Sequence, residues 1–360
     1  MYIRTLYELR DKMHELEPRL KSLGFTDTLT DTNLNDHPEL FNFAQDNGKI
    51  TRILSLLFSF REGGKISLND ISNYLKSLLS HKTHYGFLCE LLTLSYLHRN
   101  HVEFDVEVEV SPKDNLSKNV ISLDGMTKSG VFFDVKGFGL QEHAKAQFSR
   151  LVEKEFPGYS VLINGKYDVS YNDIEKYAFP STQRVISELK ESNRSQIDEL
   201  YWDIRISNER VRFSVGESSP YTEAENNKNF VFRKCSQFTI KNPFILICTF
   251  DNQFNNNLVI NFSSHTDIMT RSLSRRAFME FKNAEEDATC LDKKCRSDVK
   301  LSTASKYLSG ILFYDIHNNK SWLYLNPNAE HKLDRHKIDR MFNFEIPEDM
   351  FIDDFSNDNY

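Results

Sequence analysis

No stretch of the chain approaches the roughly 18–20 uninterrupted apolar residues that a membrane-spanning helix needs. The amino terminus, MYIRTLYELRDK, turns charged too soon to contain the apolar segment of a secretory signal. Cysteine is scarce and odd in number: Cys89, Cys235, Cys248, Cys290 and Cys295 follow no repeat, which fits a reducing compartment better than a disulfide framework. A cytoplasmic protein with no membrane partner is the expectation. Cys290 and Cys295, with His331 and His336, approach a zinc knuckle only loosely and lack a second cysteine pair, so zinc is not the expected metal. Positive charge is also lacking, since the formal net charge is −7. That argues against a protein that coats nucleic acid by bulk charge. Residues 345–360 hold six acids and no base, which leaves the rest close to neutral. A modest excess of Lys and Arg over residues 266–340 is compatible with a local polyanion site.

What the 360 residues do have is core material: 39% hydrophobic, with 28 Phe and 15 Tyr, enough for a large globular interior and too much for wholesale disorder. Leu6, Leu9, Met13, Leu16 and Leu20, then Ile53, Leu54, Leu57 and Phe58, recur at helical spacing, so residues 1–80 read as a helical module. Around Gly64 the chain imitates half of a calcium-binding helix-loop-helix, but Ser59 and Arg61 occupy the ligand positions, leaving a helix hairpin. His84–His98 is apolar nearly all round, a buried helix carrying one acid, Glu90. Val102–Val110 alternates as a strand with one dry face. Short strands are predicted over 120–123, ending at Asp124-Gly125, and over 131–136. Beyond them the pattern predicts helices over 141–155 and 182–199 and a strand over 159–163. It also predicts a hairpin of 201–206 with 210–215, the apolar strand FILICTF (244–250), and strands over 258–262, 308–314 and 322–325, with a helix over 271–281. The class is α/β.

The informative stretch is Leu123-Asp124-Gly125 followed by Phe132-Phe133-Asp134-Val135-Lys136-Gly137. Alternation puts Asp134 and Lys136 on one face of an otherwise apolar strand, and a tight hairpin returns Asp134 beside Asp124. Two carboxylates so close repel, and a divalent cation relieves the repulsion. Oxygen ligands select Mg²⁺ or Mn²⁺. Lys136 can orient or deprotonate a water, and Glu90 can face the site as an outer ligand. Acid-x-lysine also occurs at Glu188, Glu280, Asp292, Asp298 and Glu330, so the tripeptide alone carries no information; its flanking strand and Asp124 distinguish Asp134.

Over about 70 residues this region resembles the PD-(D/E)XK nuclease superfamily, with Glu90, Asp124, Asp134 and Lys136 in matching order and Leu123 where that family has proline. The resemblance implies a restriction-endonuclease-like mixed sheet flanked by helices. In that reading, Asp124, Asp134 and the Val135 carbonyl hold Mg²⁺, Lys136 handles the water and Glu90 is auxiliary. It implies a DNA endonuclease, with restriction or phage defence as the setting. The alternatives are a DNA-repair or RNA-directed nuclease, or a non-catalytic DNA-binding or assembly protein that keeps the fold. Arg271, Arg275 and Arg276 are weaker candidates for phosphate contacts, a homodimer is compatible, and the expected division is a helical module (1–80), the nuclease domain (81–340) and an acidic tail (341–360).

Overall fold

The computed structural model describes residues 2–338 except 24–30, 35–36, 81, 139, 166–168, 170–172, 209–219, 252–262, 286–287 and 334–337. The expected strands over 210–215 and 258–262, His336 and the acidic tail lie outside the described residues. In chain order come helices α1 (Leu6–Leu16), α2 (Pro38–Gln45), α3 (Asn47–Glu62), α4 (Leu68–Leu79) and α5 (His84–Arg99), then strands β1 (Phe104–Val110), β2 (Ile121–Thr127) and β3 (Phe132–Gly137). After α6 (Leu140–Glu153), β4 (Ser160–Asn164), α7 (Thr182–Ser192), β5 (Arg194–Ile197), β6 (Trp202–Ser207), α8 (Pro220–Asn227) and α9 (Asn229–Phe232), the chain forms β7 (Phe244–Phe250). Then follow α10 (Ser263–Arg275), α11 (Leu301–Lys306), β8 (Gly310–Asp315) and β9 (Lys320–Leu325). No helix of the described residues is long and apolar enough to cross a membrane.

The chain divides into two compact units, residues 1–138, 229–253 and 274–360 in the first and 139–228 and 254–273 in the second. The expected helical module of residues 1–80 thus belongs to the same unit as the large sheet, while the second unit is an insertion within the expected 81–340 domain.

In the first unit six strands run in the order β1-β2-β3-β7-β8-β9. The meander β1-β2-β3 is antiparallel, β3, β7 and β8 are parallel, and β9 returns antiparallel along β8. This is a mixed sheet. Every residue of β7 is buried, as its unbroken apolar run requires of a strand covered on both faces. Helix α5 is held to the sheet by a buried hydroxyl pair, Thr93 to Thr249 at 2.6 Å, and by Tyr96 stacked on Tyr314 with centroids 4.3 Å apart. Capping boxes start α1 (Thr5 with Glu8) and α4 (Ser67 with Asp70), so these helices begin where their side chains can satisfy the first backbone amides. Gly64, at φ +70, makes the turn between α3 and α4, as the helix-hairpin reading expects.

The second unit is a three-stranded antiparallel sheet, β4-β6-β5, whose core includes Phe148, Val185, Leu189, Trp202 and Ile204. Here the predicted helix over 182–199 is too long. Asn193 adopts φ +57 and ends α7 at Ser192, and the next four residues pair with β6 instead, alternating with Ser195 and Ile197 buried. Short-range helical periodicity lost to a two-residue alternation too brief to register.

Candidate metal-carboxylate site

The site forms where β2 and β3 part company. The two strands pair only at Gly125 with Phe133 and Met126 with Phe132, whereas β3 continues along β7 as far as Gly137. The hairpin is tight because Gly125 has no side chain: a Cβ there would lie 2.3 Å from Phe133 Cζ and 2.8 Å from the Asp105 carbonyl. Beyond this point the ladder is replaced by a side chain, since the Val135 amide donates to Asp124 Oδ2 at 2.6 Å. Strand β2 therefore runs through Asp124 to Thr127, longer than expected, and Asp124 projects into the fork.

Strand alternation brings Asp134 and Lys136 out on one face, with Lys136 Nζ 2.5 Å from Asp134 Oδ2. The Asp134 side chain is 1% exposed and that of Lys136 is 24% exposed. Helix α5 approaches the same strand, with Tyr85 donating to the Phe138 carbonyl at 2.6 Å and Tyr85 and Cys89 filling the space beside Gly137. That packing delivers Glu90, one residue on, to the carboxylates.

Electrostatics link the four groups. Burial pushes the Asp124 carboxyl up to about 7, with the charge of Asp134 the next cause. Burial likewise raises Asp134 against the opposing pull of Lys136, and raises Glu90 well above the usual carboxylate range, with Asp124 adding to the effect. Burial alone would lower Lys136, yet Asp134 and Asp124 hold it above its ordinary value, so it is an ammonium at neutral pH. Three acids thus crowd around Lys136, and the charge balance is unfavourable unless protons or a cation are taken up.

The residues fit a hard divalent cation. Asp134 Oδ1 is fully enclosed with no hydrogen-bond donor, its neighbour Asp124 is itself an acceptor once ionised, and all donor atoms are oxygen. An oxygen orphaned in this way costs about 1–3 kcal/mol, which coordination would remove.

Three residues near the site escape sequence reasoning. Lys234, just after α9, has its amine pK lowered by burial and then by Lys136, while Asp134 pulls it up, so a second lysine lies within electrostatic reach of the carboxylates. Glu107 takes φ +52 in β1 and accepts from Tyr74 Oη at 2.6 Å, and its charge contributes to the shift of Glu90. The apolar alternation of β1 gives no hint of that left-handed residue. Of the expected phosphate contacts, Arg275 is buried, and Arg276, with a side chain 13% exposed, lies 3.5 Å from Glu280. Arg271 is half-buried on α10. These arginines are not presented as an open basic face.

Comparison with protein-family models, with curated proteins and with solved structures finds no match to this chain.

Proposed function

We propose that this protein is a divalent-metal-dependent phosphodiesterase that cleaves DNA, an endonuclease of the PD-(D/E)XK type with Mg²⁺ as its ion and Mn²⁺ as a substitute. The observation that carries the reading is the pair Asp124 and Asp134 compressed at a strand fork, with an orphaned carboxylate oxygen and Lys136 against Asp134. An ordinary strand salt bridge would need only Asp134 and Lys136. It does not call for a second and a third buried carboxyl whose pK values are driven upward.

Asp124, Asp134 and the Val135 carbonyl are the residues that would hold the ion, and Glu90 is the outer acid. When bound, Mg²⁺ supplies a water of lowered pK and stabilises charge on the phosphate oxygens. Lys136, an ammonium, donates a hydrogen bond rather than removing a proton, so it orients the attacking water or a phosphate oxygen. Lys234 is a second amine for the approaching phosphodiester to meet, able to donate a hydrogen bond whether or not it is protonated. The family resemblance makes defence against foreign DNA the proposed setting.

The test is incubation of purified protein with supercoiled DNA, linear DNA and single-stranded RNA, in Mg²⁺ and in EDTA. The expected result is nicking or linearisation of DNA in Mg²⁺ alone. Cleavage of RNA only would redirect the substrate, and no cleavage of any substrate would contradict the reading.

A further inference from the structure

The structure assigns a second, unrelated chemistry to the first unit: we propose that Cys235, Cys290 and Cys295, when reduced, bind one zinc ion through three thiolates. The three sulfurs come from two places in the sequence, Cys235 from the turn after α9 and the other two from a loop with four residues between them. All three lie within 4.8 Å of one another, and Cys235 Sγ is 3.2 Å from Cys295 Sγ. Cys235 and Cys295 are buried.

Hydrogen bonds as well as sulfur hold the cage. Asp292 clamps both limbs, accepting from the Ser236 amide at 3.0 Å and from the Lys294 amide at 2.9 Å, and its own carbonyl accepts from the Cys295 amide at 3.0 Å. The loop is further tied at Ser117 opposite Cys295 and by the Arg296 amide donating to the Leu116 carbonyl at 3.1 Å. Three soft donors are therefore brought together by segments that hydrogen bonds tie to one another independently of the sulfurs.

A disulfide accounts for the trio poorly. The structure joins Cys235 to Cys290, but their Cα atoms are 7.4 Å apart, beyond the usual ~4.4–6.8 Å, and Cys295 is left against the bond as a third sulfur without a role. One ion uses all three. Tetrahedral zinc with Zn–S near 2.3 Å separates its sulfurs by about 3.8 Å, within the range the trio already occupies. Thiolate donors select zinc over Mg²⁺, and the four residues between Cys290 and Cys295, loose as a sequence signal, are the upper limit of the spacing in structural zinc loops. Cys290 is only partly buried, so water would be the fourth ligand. His331 is not one of the residues whose donor atoms converge with the three sulfurs.

The chemistry balances simply. Two small-molecule thiols reduce the Cys235–Cys290 bond, supplying two electrons and two protons and becoming a disulfide themselves. The ion then binds three sulfurs as three thiol protons leave to solvent. Because Lys234 precedes Cys235, the ion would also fix the turn that carries this lysine, whatever the protein's reaction.

The test is zinc content by mass spectrometry on full-length protein purified with a thiol reductant and no chelator, desalted after one equivalent of ZnCl₂. About one zinc per chain is expected, falling at least fivefold in Cys235→Ser, Cys290→Ser and Cys295→Ser and unchanged in His331→Ala. Cobalt(II) added to the reduced wild-type protein should give a thiolate-to-metal absorption band, a readout that needs no variant to fold. Reduced wild-type protein that retains no zinc and gives no such band would overturn the proposal, as would full zinc content in Cys295→Ser.

Discussion

At Asp134 a carboxylate has been taken almost entirely out of water, with one ammonium against it and another acid beside it. The consequence is a pH dependence whose sign is fixed. An acid raised from 3.8 to about 7, as Asp124 is, holds a proton in the folded state that the unfolded chain has lost. The stability it provides is full below about pH 4 and lost as pH rises towards 7. His84 acts in the opposite sense. Burial lowers it to about 4, so its contribution to stability grows as pH rises from 4 to 6.5. Comparing wild type with Asp124→Asn cancels His84, and Asn can still accept from the Val135 amide. In metal-free protein the variant should gain on wild type between pH 5 and pH 8 by roughly 3–8 °C in Tm. Mn²⁺ at pH 8 should raise the melting point of wild type and leave the variant unmoved. A difference between the two proteins that does not change with pH would remove the electrostatic account of the site.

The fork between β2 and β3 is the element on which the site depends, and its geometry rests on Gly125. Gly125→Ala forces a methyl group against the Phe133 ring and the Asp105 carbonyl, and the carbonyl belongs to backbone that cannot swing aside. A loss of about 1–3 kcal/mol is expected in thermal or denaturant unfolding, together with weaker Mn²⁺ binding because Asp124 is displaced; unchanged stability would mean that the strands tolerate a wider hairpin. Much of this element was legible beforehand. Alternation gave β3, and the short spacing between Asp124 and Asp134 gave the hairpin. The buried helix with Glu90 followed from its all-round apolar pattern. What could not be read was where pairing stops, because register along β2 depends on which ring fills the space above Gly125. Lys234 was illegible for a related reason: it reaches the site from about 100 residues away through a turn with no periodicity. The overlong helix after Thr182 shows the same limit, since only tertiary pairing with β6 decides that residues 194–197 extend.

For the first unit as a whole, the amino-terminal helices are part of the fold that carries the carboxylates. Lys49 of α3 makes a buried ion pair with Asp251, just beyond β7, and both side chains are nearly inaccessible. Lys49→Met removes the ammonium from a buried ion pair and should cost about 3–5 kcal/mol, read as a lowered denaturant midpoint at neutral pH. Protein lacking residues 1–80 should therefore fail to fold independently, where an appended module would be dispensable. A truncated chain that melts cooperatively like the full one would contradict this. The central claim concerns what the whole assembly does to a phosphodiester, and its most direct test is a side-by-side rate measurement. Nicking of supercoiled DNA in Mg²⁺ is followed for wild type and for Asp134→Asn, with melting curves taken on the same preparations. The account predicts that wild type cleaves and that the variant, still folded and at least as stable without metal, loses cleavage by 100-fold or more, about 2.7 kcal/mol of transition-state stabilisation. Undiminished cleavage by Asp134→Asn, or none by wild type, would contradict it.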